Sequence, residues 1–248
     1  MTGASRTLVR RADTVARMDR RVGELTQGFS SYVETFTRSR LFTGPSLYFH
    51  WKTIRLLGAY PSPVEAIPHR DFAESLYATL TAWGMHRMGP GVAKLVDFDE
   101  MHESMVRQAP LIKEVQALTI WDTSPTEVED VASRLWLIID GLKVGVGQTK
   151  LVAGSKALHH MLPNVVPPID RRYTLRFFYH HTNLYGGDEK AFREMYPRFA
   201  TIARSRRRAI EAVLGTGMNS SATKVLDNAI VGYVLRNIDG RAIEGDSP

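Results

Sequence analysis

A mostly helical fold is the first expectation, and three observations carry it. Apolar residues recur at helical spacing through most of the chain, cap and breaker residues bracket those stretches, and only short segments such as 135–139 read as a buried strand. With 248 residues and 44% hydrophobic content the chain can build one large core or two small interleaved helical lobes. No clean linker divides it. The expectation over 1–248 is therefore one compact helical unit, or two interleaved lobes with a site between them, followed by a frayed tail at 240–248.

Element by element, 71–85 reads as a helix with Phe72, Leu76, Leu80 and Trp83 on one stripe, stopped by Gly89-Pro90-Gly91. A second helix starts near Asp97 and is expected to stop before Pro110. Ser124-Pro125-Thr126-Glu127 supplies a cap, a first-turn proline and an acid, opening a helix through Val131, Leu135 and Ile138 that ends near Gly141. After Gly145-Val146-Gly147 comes a helix over about 151–161, then the stiff connector 163–168, rich in proline. Asp170 follows at the mouth of a helix over 171–181. A long basic helix over 189–213 is expected to break at Pro197, and a final helix spans about 221–237.

The formal charge is +6, and between 150 and 208 the cations Lys150, Lys156, Arg171, Arg172, Arg176, Lys190, Arg193, Arg198, Arg204, Arg206, Arg207 and Arg208 far outnumber the acids. A solvated helix face explains such a run as well as a phosphate-backbone contact does. There is no cysteine, so disulfides and thiolate zinc sites are excluded. No stretch has the length and apolarity of a signal sequence or a membrane span, which leads to the expectation of a cytoplasmic protein with no membrane association and no obligate protein partner.

The densest motif is VGVGQTKLVAGSKALHHMLPNVVPPIDRRYTLRFF, from Val144 to Phe178: a glycine turn, a helix, a proline-stiffened loop, and an aspartate opening a further helix. Over about 140–180 this resembles the helix-hairpin-helix DNA glycosylase superfamily, in which a Gly-x-Gly turn grips the DNA backbone and an aspartate some twenty residues later does the chemistry. The resemblance implies an all-helical, bundle-like glycosylase architecture with a helix-hairpin-helix turn. It also implies double-stranded DNA as partner and a flipped base whose N-glycosidic bond is hydrolysed at Asp170 to leave an abasic site, with no cofactor.

Backbone N–H groups at Gly145 and Gly147 suit a phosphate, with Thr149, Lys150, Arg171 and Arg172 as further DNA contacts. A carboxylate at Asp170, kept ionised beside arginines, suits stabilisation of a cationic sugar or activation of water. An aspartate after prolines is equally a helix cap, and the two roles are compatible. Superfamily members that also cleave the strand carry a lysine two positions after the second glycine. Thr149 stands there, so a monofunctional enzyme is expected. Lys156 is a candidate for binding phosphate or the opened sugar, or a plain helix-face lysine.

For the base pocket the candidates are Trp83, His86, Arg87, Tyr48, Trp51 and His159, aromatic and cationic groups of the kind that stack on an extruded base, though Trp51 and Tyr77 suit a core as well. His159 and His160 are adjacent on one helix, so one at most is expected to face any given site, and no metal site is expected. Two other classes stay open: a non-catalytic DNA-binding protein with Asp170 as a cap, and a magnesium-dependent nuclease or toxin using Asp140, Asp170 or Glu74. Repair of a damaged base and attack on modified phage DNA are both compatible with the glycosylase reading.

Overall fold

A computed structural model describes residues 3–85, 94–184 and 186–240, with side chains from residue 11 onward. Eleven helices are present among them and no strand. In chain order they are α1 (Gly3–Gln27), α2 (Phe29–Ser39), α3 (Pro45–Gly58), α4 (Pro63–Ala66), α5 (Arg70–Leu80), α6 (Phe98–Val115), α7 (Val128–Gly141), α8 (Leu151–Met161), α9 (Arg176–Tyr179), α10 (Asp188–Glu211) and α11 (Ala222–Asn237).

The organising element is α11. Every residue from Ala222 to Leu235 is buried, so this helix has no solvent face and the others wrap it. Ser221 caps it through its hydroxyl, which accepts from the Lys224 amide. Its closest neighbour is α2. A Cβ on Gly232 would stand 1.9 Å from the Tyr32 carbonyl oxygen, so only glycine lets the two backbones cross there. Gly154 does similar work between α8 and α7, where a Cβ would meet Ile139 at 2.9 Å.

Helix α1 is fastened to the core by Arg21, whose guanidinium donates to the carbonyls of Arg176 and Phe177 at 2.7 Å each. This satisfies carbonyls of the short α9 and holds the polypeptide downstream of Asp170 in place.

Two proline expectations are corrected. Helix α6 runs through Pro110, because Met105 on one side and Ile112 and Val115 on the other are buried, and their packing outweighs the roughly 3 kcal/mol a mid-helix proline costs. Helix α10 likewise runs through Pro197, flanked by buried Tyr196 and Phe199, and its irregular residue is Arg206 (φ −119°, ψ 17°).

Other boundaries hold with adjustments. Ser124 and Glu127 form a reciprocal capping box ahead of α7: each backbone amide donates to the other's side chain at 3.3 Å. The helix of 71–85 ends at Leu80 and passes into a wide turn, Thr81–Met85, in which Gly84 takes φ +81°. The Gly89-Pro90-Gly91 breaker, His86, Arg87 and the tail beyond Gly240 lie outside the described residues. Among the described residues no helix is long and apolar enough to cross a membrane.

Candidate functional site

The connector 163–168 leads through Ile169 to Asp170, which caps a single wide turn, Arg171–Leu175, ahead of α9. Its carboxylate Oδ1 accepts from the Tyr173 amide at 2.6 Å, its backbone N–H donates to Thr174 Oγ1 at 3.2 Å, and its carbonyl accepts from the Leu175 amide at 3.1 Å. The cap is real, and it uses only one carboxylate oxygen. Ile169 is pinned from below, its amide donating to Ser155 Oγ on α8 at 3.1 Å.

This places Asp170 in a small pocket of about 30 Å³ with Lys156 of α8, Lys224 and Asp227 of α11, and the apolar walls Phe42, Trp83, Pro168 and Met218. Two lysines and two aspartates from three segments thus share a largely apolar enclosure. Lys224 is buried and fully engaged, donating to Asp227 Oδ2 at 2.6 Å and to Asn228 Oδ1 at 2.5 Å. Its ammonium also lies over Phe36, Phe42 and Trp83, 5.3 to 5.6 Å from their ring centres. Lys156 and Asp170 are only half-buried, and no carboxylate lies within 4.0 Å of the Lys156 amine among the described residues.

The electrostatics follow from burial. Desolvation first, then the like charge of Asp227, push the Asp170 carboxyl upward, against the pull of Lys156, the Tyr173 amide and Lys224. Desolvation also lowers the Lys156 amine, with Asp170 and Asp227 opposing it. The two groups are drawn toward each other in proton affinity. The expectation that arginines keep Asp170 ionised is corrected: its cationic neighbours are lysines, whereas Arg171 and Arg172 are exposed, one donating to Thr149 Oγ1 at 3.3 Å and the other lying over the Tyr173 ring. Lys156 is likewise not a solvated helix-face lysine.

Behind Trp83 stands a second cluster. His50 of α3 and His159 and His160 of α8 are fully buried, and one ring nitrogen of each lies within 4.8 Å of the others. Both adjacent histidines therefore face one site, contrary to the expectation that one at most would. The ring planes of His50 and His159 are nearly parallel at 6.0 Å, and Trp83 stacks on both. Burial and mutual repulsion hold His50 and His159 well below the ordinary histidine range; burial takes His160 down to about 4. All three rings are neutral near pH 7.

The glycine turn runs beside the segment 94–96, the Val146 amide donating to the Lys94 carbonyl and the Val96 amide to the Val144 carbonyl. Gly145 pairs with Leu95 in an isolated antiparallel bridge, and the amides of Lys150 and Leu151 at the start of α8 both donate to Asp188 Oδ2, at 2.6 and 2.9 Å. An internal carboxylate thus occupies the N-terminus of α8, beyond the Gly145 and Gly147 amides expected to meet a phosphate. The Lys150 amine bonds Asp140 Oδ1 at 2.7 Å, while Gly147 and Thr149 are exposed. Asp140, Thr149, Lys150 and Asp188 border an open cleft of about 1210 Å³ whose cations, Lys150, Arg171, Lys190, Arg193 and Arg198 among them, are interleaved with Asp140, Asp188, Glu189 and Glu194.

Of the other base-pocket candidates, Trp83 and His159 flank the site. Tyr48 is 59% exposed against Phe49, and Trp51 donates its indole N–H to the Gly217 carbonyl at 2.6 Å, so neither lines the Asp170 pocket. Tyr77 serves the core, its hydroxyl donating to the Val96 carbonyl at 3.0 Å. Asp140 and Glu74 are exposed and paired with Lys150 and Arg70, and the three acids of the nuclease reading do not come together: the one group of potential metal ligands among the described residues is the histidine trio.

Lys224, Asp227 and Asn228 went unrecognised in the sequence. The available signal was the polar set Thr223, Lys224, Asp227 and Asn228, spaced by helical repeats inside the otherwise apolar ATKVLDNAIVGYVL. No family model matches the chain, and neither does any curated protein or solved structure.

Proposed function

We propose that the chain is a monofunctional DNA glycosylase that extrudes a base from duplex DNA and hydrolyses its N-glycosidic bond at Asp170. One observation carries this reading: the half-buried Asp170 carboxylate shares an aromatic-walled pocket with Lys156, with one of its two oxygens free of the cap. A carboxylate raised by desolvation is a better base toward water, and its charge stabilises the sugar cation as the glycosidic bond lengthens. The pocket has the volume of about one water molecule, which suits the attacking nucleophile. A base enters only if the side chains of Trp83, Phe42 and Met218 swing aside, and Trp83 and Phe42 then offer stacking faces.

Lys156 beside Asp170 suits contact with the sugar or its phosphate. The exposed Arg171, one residue from the carboxylate and at the edge of the large cleft, suits a phosphate outside the pocket. The start of α8 takes no part in this scheme, since Asp188 already satisfies its amides.

The test is incubation of the protein with genomic DNA carrying natural and phage-type modified bases, in EDTA, followed by hot alkali and gel electrophoresis. The reading predicts alkali-dependent breaks with the wild type and none with Asp170→Asn. A non-catalytic DNA-binding protein is the second reading, favoured by the 2.6 Å cap bond at Asp170. It predicts salt-sensitive binding with the DNA left intact.

A further inference from the structure

We infer that His50, His159 and His160 form a binding site for one zinc ion, held by His50 Nδ1, His159 Nε2 and His160 Nε2. The inference stands apart from the reading of Asp170. Its first support is the direction of the lone pairs. His159 Nδ1 lies 2.9 Å from the Val166 carbonyl and His160 Nδ1 lies 2.8 Å from the Lys156 carbonyl. A carbonyl only accepts, so both Nδ1 atoms carry the proton and both Nε2 atoms present a lone pair. Fixing the outer ring nitrogen on a carbonyl is how proteins orient histidine ligands toward a metal.

The second support is an orphan. His159 Nε2 is buried and has no hydrogen-bond partner, although its ring is completely enclosed. A buried acceptor left unpaired costs about 1–3 kcal/mol and calls for an explanation such as an ion. His160 Nε2 and His50 Nδ1 already approach to 3.0 Å, in a bond where His50 must donate.

Zinc replaces that bond by one proton shift. The His50 proton moves from Nδ1 to Nε2, where Ser220 Oγ at 2.6 Å changes from donor to acceptor, and the ring stays neutral. One ring nitrogen of each histidine lies within 4.8 Å of the others, and three nitrogens at about 2.0–2.1 Å from a tetrahedral ion stand about 3.3 Å apart, so the wider separations close and the 3.0 Å His50–His160 pair opens slightly. The chemistry of the set selects the metal: three neutral imidazoles with no thiolate or carboxylate suit zinc rather than magnesium or calcium, and a fourth position stays open for a small ligand. The nearby Lys224 charge is answered by Asp227 at 2.6 Å, so the ion faces a neutral pair. Bound there, zinc ties α3 to α8 behind Trp83.

The experiment uses the full chain without a histidine tag, stripped with chelator, dialysed against micromolar zinc and measured by elemental analysis and by X-ray absorption at the zinc edge. The expected result is one zinc per chain with three imidazole nitrogens at about 2.0 Å. His159→Gln and His50→Gln, checked by circular dichroism, are expected to lose at least nine-tenths of the bound zinc, whereas His180→Ala/His181→Ala retains it. If the histidine variants fail to fold, the absorption spectrum of the wild type decides. A wild type with no zinc above the buffer level, a first shell without three imidazoles, or loss of zinc in the His180/His181 variant overturns the assignment and leaves a metal-free hydrogen-bonded histidine cluster.

Discussion

The Asp170 pocket and the cleft bordered by Arg171 begin at consecutive residues, yet they treat charge in opposite ways. In the cleft, Lys150 with Asp140 and Arg193 with Glu189 are solvent-exposed pairs whose attraction water and salt weaken. In the pocket, Lys224 and Asp227 are wholly and Lys156 and Asp170 partly drawn out of water, and that desolvation moves Asp170 up and Lys156 down against their mutual attraction. A basic stretch of sequence is thus a poor guide to chemistry here. Even within 204–208 the cations have internal partners, Arg204 donating to the Thr123 carbonyl and the exposed Arg207 lying over Trp121 and pairing with Asp122 and Glu211. Desolvation, not charge density, distinguishes the Asp170 pocket from the cleft.

The contrast can be broken most forcefully at Lys224. Lys224→Met leaves Asp227 buried without its cation, and a loss of about 3–5 kcal/mol in unfolding free energy is expected by denaturant titration. Adding Asp227→Leu should recover much of it, because both desolvated charges are then gone; a double variant as unstable as the single one would show that the pair itself is not the reason.

Acid comes next. In the metal-free protein His160 titrates at about 4 when folded and near 6.5 when unfolded. Because the folded value is the lower, unfolding takes up a proton between the two, so the stability is complete above pH 6.5, falls as the pH drops toward 4, and levels off below. For His160 alone the loss is about 3 kcal/mol, with His50 and His159 acting in the same direction. Unfolding curves at pH 7 and pH 4.5 check this, and a stability that does not decline over that interval contradicts the burial argument. At the exposed end of the comparison, Asp140→Asn removes the Lys150 partner and should change stability by no more than about 1 kcal/mol, less in high salt.

The legibility of the sequence divides along the same line. Helices α7 and α8 and the cap at Asp170 were readable because periodicity, capping boxes and prolines act within a few residues. Pro110 and Pro197 misled, since buried neighbours such as Ile112 and Phe199 override a local breaker. The site was half legible. Lys156 and Asp170 sit fourteen positions apart, on α8 and just past the connector, but Lys224 and Asp227 join them only because α11 runs through the centre of the fold. His50 meets His160 across 110 positions. The carboxylate at the start of α8 was hidden for the same reason: Asp188 reaches the Lys150 and Leu151 amides from nearly forty residues away.

The most direct test of the pocket against the cleft is single-turnover base release and DNA affinity measured side by side for Asp170→Asn and Arg171→Ala. Asparagine also caps a turn, so Asp170→Asn should stay within about 1 kcal/mol of wild-type stability, bind DNA normally, and lose base release by about 10²–10⁴-fold. Arg171→Ala should weaken binding and flatten its salt dependence while the bound complex still reacts. Base release at the wild-type rate by folded Asp170→Asn would contradict the account.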